Sequence, residues 1–149
     1  MAIQVGDKAP QIKTSAFSLA GLKGQRAVVF FFPKADTPGC TKEACEFRDA
    51  SKTFTKQNAV IVGISPDKEA AHVKFATKYA LPYTLVPDPD HAIAEAYGVW
   101  KEKSMYGRKY MGIERTTFVI DEKGKIARIF AKVKPAGHAA EVLEALATP

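Results

Sequence analysis

Three apolar runs without alternation organise the first part of the chain: residues 27–32 (AVVFFF), residues 60–64 (VIVGI) and the shorter residues 83–86 (YTLV), the last bracketed by Pro82 and Pro87. Runs of this kind predict strands covered on both faces. Between them the spacing turns helical. A helix opens at Thr37-Pro38 and runs to about Lys56. A second, with Asp67 as its N-cap, runs through Tyr79 and buries Ala71, Phe75 and Tyr79. Pro89-Asp90 introduces a short helix over residues 91–98, with Gly98 as its stop.

Residues 99–114 are polar, aromatic and unpatterned, and read as a long loop whose Trp100, Tyr106 and Tyr110 either rim a site or cover the core. Residues 116–120 and 125–133 are strands joined by Asp121-Glu122-Lys123-Gly124, whose glycine suits a left-handed turn position. A last helix from Pro135 carries Ala139, Val142, Leu143 and Leu146 on one side. The first 26 residues, rich in Gly, Pro and Lys, alternate briefly over residues 11–14 and 17–19 and predict an opening β-hairpin, with a turn over residues 21–24.

This order predicts an α/β domain with a central mixed sheet flanked by helices. The alternating strands and helices supply its parallel part and the terminal hairpin an antiparallel edge. No repeat or linker divides the sequence, so residues 1–149 read as one domain. Functional groups in such sheets gather beyond the carboxyl ends of the strands.

Composition narrows the function. Lys and Arg total 22 against 16 Asp and Glu, for a net charge of +6. The basic residues are dispersed and form no stripe interleaved with aromatics, which argues against nucleic-acid binding. No stretch approaches the length of an apolar membrane span and no signal peptide opens the chain, so a cytoplasmic protein without membrane association is expected.

Both cysteines, Cys40 and Cys45, fall in one stretch after the first apolar run: FFFPKADTPGCTKEACEFR. With Thr37 at the N-cap and Pro38 at the first helical position, Cys40 is the third residue of the helix, near unpaired N–H groups and the positive end of the dipole. That placement favours a thiolate. Gly39 lets a substrate approach the backbone. In an intact helix two residues five apart have Cα atoms about 9 Å from each other. A disulfide tolerates at most about 7 Å, so a bridge from Cys40 to Cys45 requires the start of the helix to unwind. A thioredoxin-type site needs C-x-x-C, which is absent, and His72, His91 and His138 show no metal-ligand spacing. A binding module with inert cysteines, or an oxidoreductase acting on protein thiols and disulfides, stays open at this point.

Pro33-x-x-x-Thr37-x-x-Cys40 resembles the active-site signature of peroxiredoxins, and PKADTPGCTKEAC is similar to the peroxiredoxin Q or bacterioferritin comigratory protein branch. The likeness continues through VGDKAP, AVIVGIS, LPYTLVPDPD, AYGVW and ERTTFVIDEKGKI. The resemblance implies a thioredoxin-like fold and reduction of hydroperoxides by a peroxidatic cysteine, which maps onto Cys40, with Cys45 as the resolving cysteine. It places Thr37 and Arg115 at the peroxide site and makes Pro33 a shield against water. Glu43 is given a supporting role. Thioredoxin or a similar dithiol is the implied reductant and a monomer the implied state; no metal, haem, flavin or nicotinamide is expected.

Thiol acidity alone cannot carry such a reaction. Lowering any thiol from about 8.5 to about 6 raises its thiolate fraction at pH 7 roughly thirtyfold. Lower intrinsic nucleophilicity takes back roughly tenfold. Fast peroxide reduction therefore requires groups that stabilise charge on the leaving oxygen, and Arg115, Thr37 and the helix N–H groups are the candidates.

Overall fold

The computed structural model describes residues 3–15, 17–22 and 24–147. Its centre is a five-stranded sheet in the order β3-β2-β1-β6-β7, built from β1 (Arg26–Phe31), β2 (Ala59–Ser65), β3 (Thr84–Pro87), β6 (Thr116–Ile120) and β7 (Ile126–Phe130). β1 pairs in parallel with β2, and β2 with β3, while β6 runs antiparallel to both β1 and β7. The expected thioredoxin-like architecture, a mixed sheet flanked by helices, is the one found. β1 lies in the middle because its five residues from Ala27 to Phe31 are all buried, and only a strand covered on both faces accommodates such a run.

The pleat divides β1 between two cores. Ala27, Val29 and Phe31 point to the side that also collects Ile12, Tyr97 and Phe118. Val28 and Phe30, with Phe32 beyond the strand, point to the side holding Cys40, Phe47, Phe54, Phe75 and Val142. Phe30 stacks on Phe47 with ring centroids 4.7 Å apart, so α1 (Pro38–Asp49) is held on the sheet by a buried aromatic pair. Such a pair adds roughly 0.5–1.5 kcal/mol beyond its burial. α5 (His138–Ala147) packs on the same side through Ala139, Val142 and Leu146, with Leu143 half-buried against them.

Several expectations change. The cysteine-bearing helix is not continuous to Lys56: it breaks at Ala50 (φ −95°, ψ 1°) and resumes as α2 (Ser51–Lys56). α3 (Glu69–Tyr79) is entered from Lys68 and not from Asp67, whose carboxylate is engaged elsewhere; it buries His72 and Phe75, leaving Ala71 and Tyr79 half-buried. The short helix is α4 (Ala92–Ala96). It ends as expected at Gly98 (φ +73°), where Gly98 N–H donates to Glu95 and Val99 N–H to Ala94, the paired bonds of a Schellman stop.

Residues 99–114 are not a loop. They form a hairpin of β4 (Trp100–Met105) and β5 (Arg108–Ile113) turning at Tyr106-Gly107, both in positive φ, as a two-residue turn that matches strand twist requires. Of its aromatic residues, Trp100 stacks on His91 at 4.0 Å and packs against the core, whereas Tyr106 is 98% exposed. The opening hairpin is reduced to one antiparallel bridge, Lys13 to Ser18, because Ile12 and Phe17 turn into the core instead of extending a ladder. Ala16 in that turn, and Lys23 in the turn expected over residues 21–24, lie outside the described residues. The terminal strands do pair around Gly124 (φ +83°), which donates to Asp121 and accepts from Ala9.

Candidate active site

β1 ends at Phe31, and the chain passes over the carboxyl edge of the sheet through residues 32–37 before entering α1. Thr37 takes the extended conformation of an N-cap (φ −92°, ψ 155°) and Pro38 the first helical position, where its missing N–H has no cost. The Thr37 carbonyl accepts the Thr41 N–H at 2.8 Å. Its hydroxyl does not cap the helix but donates to the Lys34 carbonyl at 2.8 Å. Cys40 is thus in the first turn, beside backbone N–H groups that lack helical partners, and its side chain is buried among Phe32, Ala44 and Phe47 in the same core.

Arg115, immediately before β6, reaches this cysteine from 75 residues away: its Nη2 donates to Cys40 Sγ at 3.3 Å. Its Nη1 donates to Glu43 Oε1 at 2.7 Å. Glu43 stands one helical turn after Cys40, on the same face, and is fully buried with Oε2 unpartnered. Burial pushes its carboxyl up to about 7 against the opposing pull of Arg115. Burial also disfavours the charge on Arg115, but Glu43 and Cys40 outweigh it and hold the guanidinium above its ordinary value. The arginine packs close over the backbone of Gly39, where a Cβ would lie 3.4 Å from Nη2, an ordinary contact.

The structure therefore brings together Cys40, Glu43, Arg115 and the backbone of Gly39. Thr37 occupies the N-cap position of the same helix with its hydroxyl turned to Lys34 in the preceding loop, and Pro33 is half-buried at the exit of the strand. Cys45 is in the same intact helix and, like Cys40, is a free thiol. It does not face Arg115 but lines a separate groove of about 620 Å³ between α1 and α3, with Asp36, Pro38, Lys42, Lys78 and Tyr79. Among the described residues no cluster of His, Cys, Asp and Glu could hold a metal ion, and no helix is long and apolar enough to cross a membrane.

Sequence reasoning did not single out the contacts that fix the loop ahead of α1. Asp67 Oδ2 accepts the Ala35 N–H at 2.8 Å and the Ser65 hydroxyl at 2.6 Å, and His72 Nε2 lies 2.6 Å from that same hydroxyl oxygen. Asp36, in positive φ (61°), is bound by Lys78 Nζ at 3.0 Å and by the Tyr79 hydroxyl at 3.0 Å.

The AhpC/TSA family model matches residues 5–129. A putative peroxiredoxin Bcp of Coxiella burnetii is 49% identical over 96% of this chain and 98% of its own length, and the peroxiredoxin Bcp of Bacillus subtilis is 45% identical over 98% and 96%. A solved structure of the Xanthomonas campestris bacterioferritin comigratory protein, studied for its alkyl peroxide reduction activity, superposes with a TM-score of 0.84 at 40% identity, covering 88% of this chain and 83% of that one. With family model, full-length relatives and fold in agreement, this chain belongs to the AhpC/TSA family, in its peroxiredoxin Q or bacterioferritin comigratory protein branch of thiol-dependent peroxidases.

Proposed function

We propose that Cys40 is the peroxidatic nucleophile and Cys45 its resolving partner. The Cys40 thiolate attacks the terminal oxygen of a hydroperoxide, the O–O bond breaks, and the leaving oxygen departs as water or an alcohol after taking a proton. Cys40 becomes a sulfenic acid. Cys45 then attacks that sulfur, water leaves, and an intramolecular disulfide forms. An external dithiol returns both cysteines to thiols and is itself oxidised.

One observation carries this assignment: a single guanidinium donates to Cys40 Sγ and is held in place by buried Glu43. A donor already aimed at the sulfur is also placed to stabilise charge on the oxygen that leaves it. Thr37, whose hydroxyl proton is committed to Lys34, presents its oxygen as an acceptor for a hydroperoxide O–H. Thioredoxin or a similar dithiol in the cytoplasm suits this cycle, carried by a monomer of one domain without nucleic acid, membrane or cofactor.

Single-turnover mixing with hydrogen peroxide tests the roles. Cys40→Ser should abolish peroxide consumption, whereas Cys45→Ser should still form a dimedone-trappable sulfenic acid. Equal loss of the first turnover in both variants would remove the assignment.

A further inference from the structure

The loop that delivers Cys40 is tied down at Ala35 by a chain of three side chains from the neighbouring strand and helix. Ser65 is the last residue of β2, Asp67 lies in the connection to α3, and His72 is in the first turn of that helix. Asp67 Oδ2 accepts two hydrogen bonds, one from Ala35 N–H and one from the Ser65 hydroxyl. A hydroxyl has one proton to give. With it committed to Asp67, the His72–Ser65 contact at 2.6 Å requires Nε2–H to be the donor.

This fixes the neutral His72 ring with its proton on Nε2, leaving Nδ1 as a bare acceptor, and Nδ1 is indeed buried with no partner. Burial pushes the His72 pKa down, in keeping with a neutral ring, although Asp67 pulls the other way. The opposite arrangement would bury an unpaired N–H and set two acceptor oxygens 2.6 Å apart.

One residue further along, Asp36 is gripped by Lys78 and Tyr79 from the other end of α3. These ties are exposed, and exposed pairs contribute little. Those through Ser65 and His72 are buried. The sulfur itself is held by Arg115 and Glu43 without the bonds at Ala35, and Thr37 is set by its own bond to Lys34. Disulfide formation does need the helix start to leave its position, because Cys40 and Cys45 cannot bond across an intact helix.

We propose that Ser65, Asp67 and His72 act as a latch on the loop at Ala35 and set the rate at which Cys40 is released toward Cys45. They are positioning residues: none touches either sulfur. The latch lengthens the lifetime of the sulfenic acid by holding the helix start closed after the first step. It therefore also sets how long excess peroxide has to drive Cys40 on to the sulfinic acid.

The inference rests on the Cys40–Cys45 cycle proposed above, and the test separates the two. Reduced wild-type protein, Asp67→Ala, Asp67→Asn and His72→Phe are each mixed with one equivalent of hydrogen peroxide; sulfenic acid is trapped with dimedone and the disulfide quantified by mass. In Asp67→Ala and His72→Phe the sulfenic acid should form within about twofold of the wild-type rate, while the disulfide forms several-fold faster and sulfinic acid accumulates less. Asp67→Asn, which keeps an acceptor for Ala35, should return the disulfide rate most of the way to wild type. A merely structural trio would shift the urea midpoint without this split between steps.

Unchanged disulfide rates in both variants, or a slowed first step with an unchanged second, would overturn the latch. Absence of a Cys40–Cys45 bridge in wild-type protein would overturn the cycle instead. If the variants fail to fold, amide exchange in the wild type decides: the Ala35 N–H should exchange at the rate of disulfide formation in the reduced protein and lose its protection in the oxidised one. Equal protection in both forms would overturn the latch.

Discussion

Arg115 Nη2 donates a hydrogen bond to Cys40 Sγ at 3.3 Å while the other arm of the same guanidinium is held by Glu43 at 2.7 Å. Two planar N–H arms serve two acceptors at once, which a lysine ammonium on a flexible stem does not reproduce. Arg115→Gln removes both the charge and the fork. It should slow sulfenic acid formation by about a hundredfold or more, the usual cost of losing one preorganised donor, with Arg115→Lys between it and the wild type. Stopped-flow peroxide consumption measures this; a loss below about threefold would mean that the arginine is not stabilising the leaving oxygen.

Gly39 separates the two steps differently. A Cβ there would sit 3.4 Å from Arg115 Nη2 and 3.5 Å from Pro135 Cγ, which are ordinary contacts. Gly39→Ala should leave peroxide attack within a few-fold of wild type. Alanine also stiffens the first turn of α1, by roughly 0.5–1 kcal/mol relative to glycine. Disulfide formation, which must unwind that turn, should slow about two- to fivefold. Gly39→Leu, too large for the gap, should push Arg115 aside and lose the first step as Arg115→Gln does.

What the sequence discloses and what it hides follow from where the determinants lie. β1 and β2 are legible because burial on both faces leaves unbroken apolar runs, whereas Glu43 comes only from the resemblance, and its place on the face of Cys40, bonded to Arg115, belongs to the fold. The β4–β5 hairpin is hidden: its strands are mostly exposed, so no alternation marks a core face, and the only local signal is Gly107 after Tyr106. The latch is hidden for another reason. Asp67 has the spacing of a helix cap, and only the fold shows its carboxylate turned back to Ala35. Arg115 is 75 residues from Cys40, so nothing but the resemblance linked them before the fold was known.

Gly63, in the middle of the sheet, has no room for a side chain. A Cβ would lie 2.8 Å from both Leu85 Cδ2 and Phe30 Cζ, and Phe30 is itself wedged against Phe47 and Phe32. Gly63→Ala should therefore destabilise the fold by about 1–3 kcal/mol, the cost of overpacking a close-packed core. The urea midpoint should fall while the peroxide rate per folded molecule stays unchanged. An unchanged midpoint would mean that Phe30 and Leu85 can yield.

The buried Glu43 makes stability depend on pH in a direction opposite to that of the buried histidines. Its carboxyl titrates at about 7 in the folded protein against 4.5 ordinarily, chiefly because it is out of water. Between those values the folded state holds a proton that the unfolded chain has released. Stability from this group is therefore present at low pH and is lost as pH rises through about 7, by about 3 kcal/mol in all. His72 and His138 are depressed by burial below their ordinary 6.5, so their contribution is lost as pH falls below that value. Glu43→Gln removes the first dependence and keeps the second. Urea unfolding at about pH 5 and about pH 8 should find the variant more stable at the higher pH, and the wild type shifted from it toward the lower pH by most of that 3 kcal/mol. The same ionisation acts on the helix start, since opening α1 returns Glu43 to water. Disulfide formation after peroxide attack should therefore accelerate from about pH 5 to about pH 8 in the wild type beyond any rise in Glu43→Gln. Parallel profiles in the two proteins would show that Glu43 is not expelled when the helix opens.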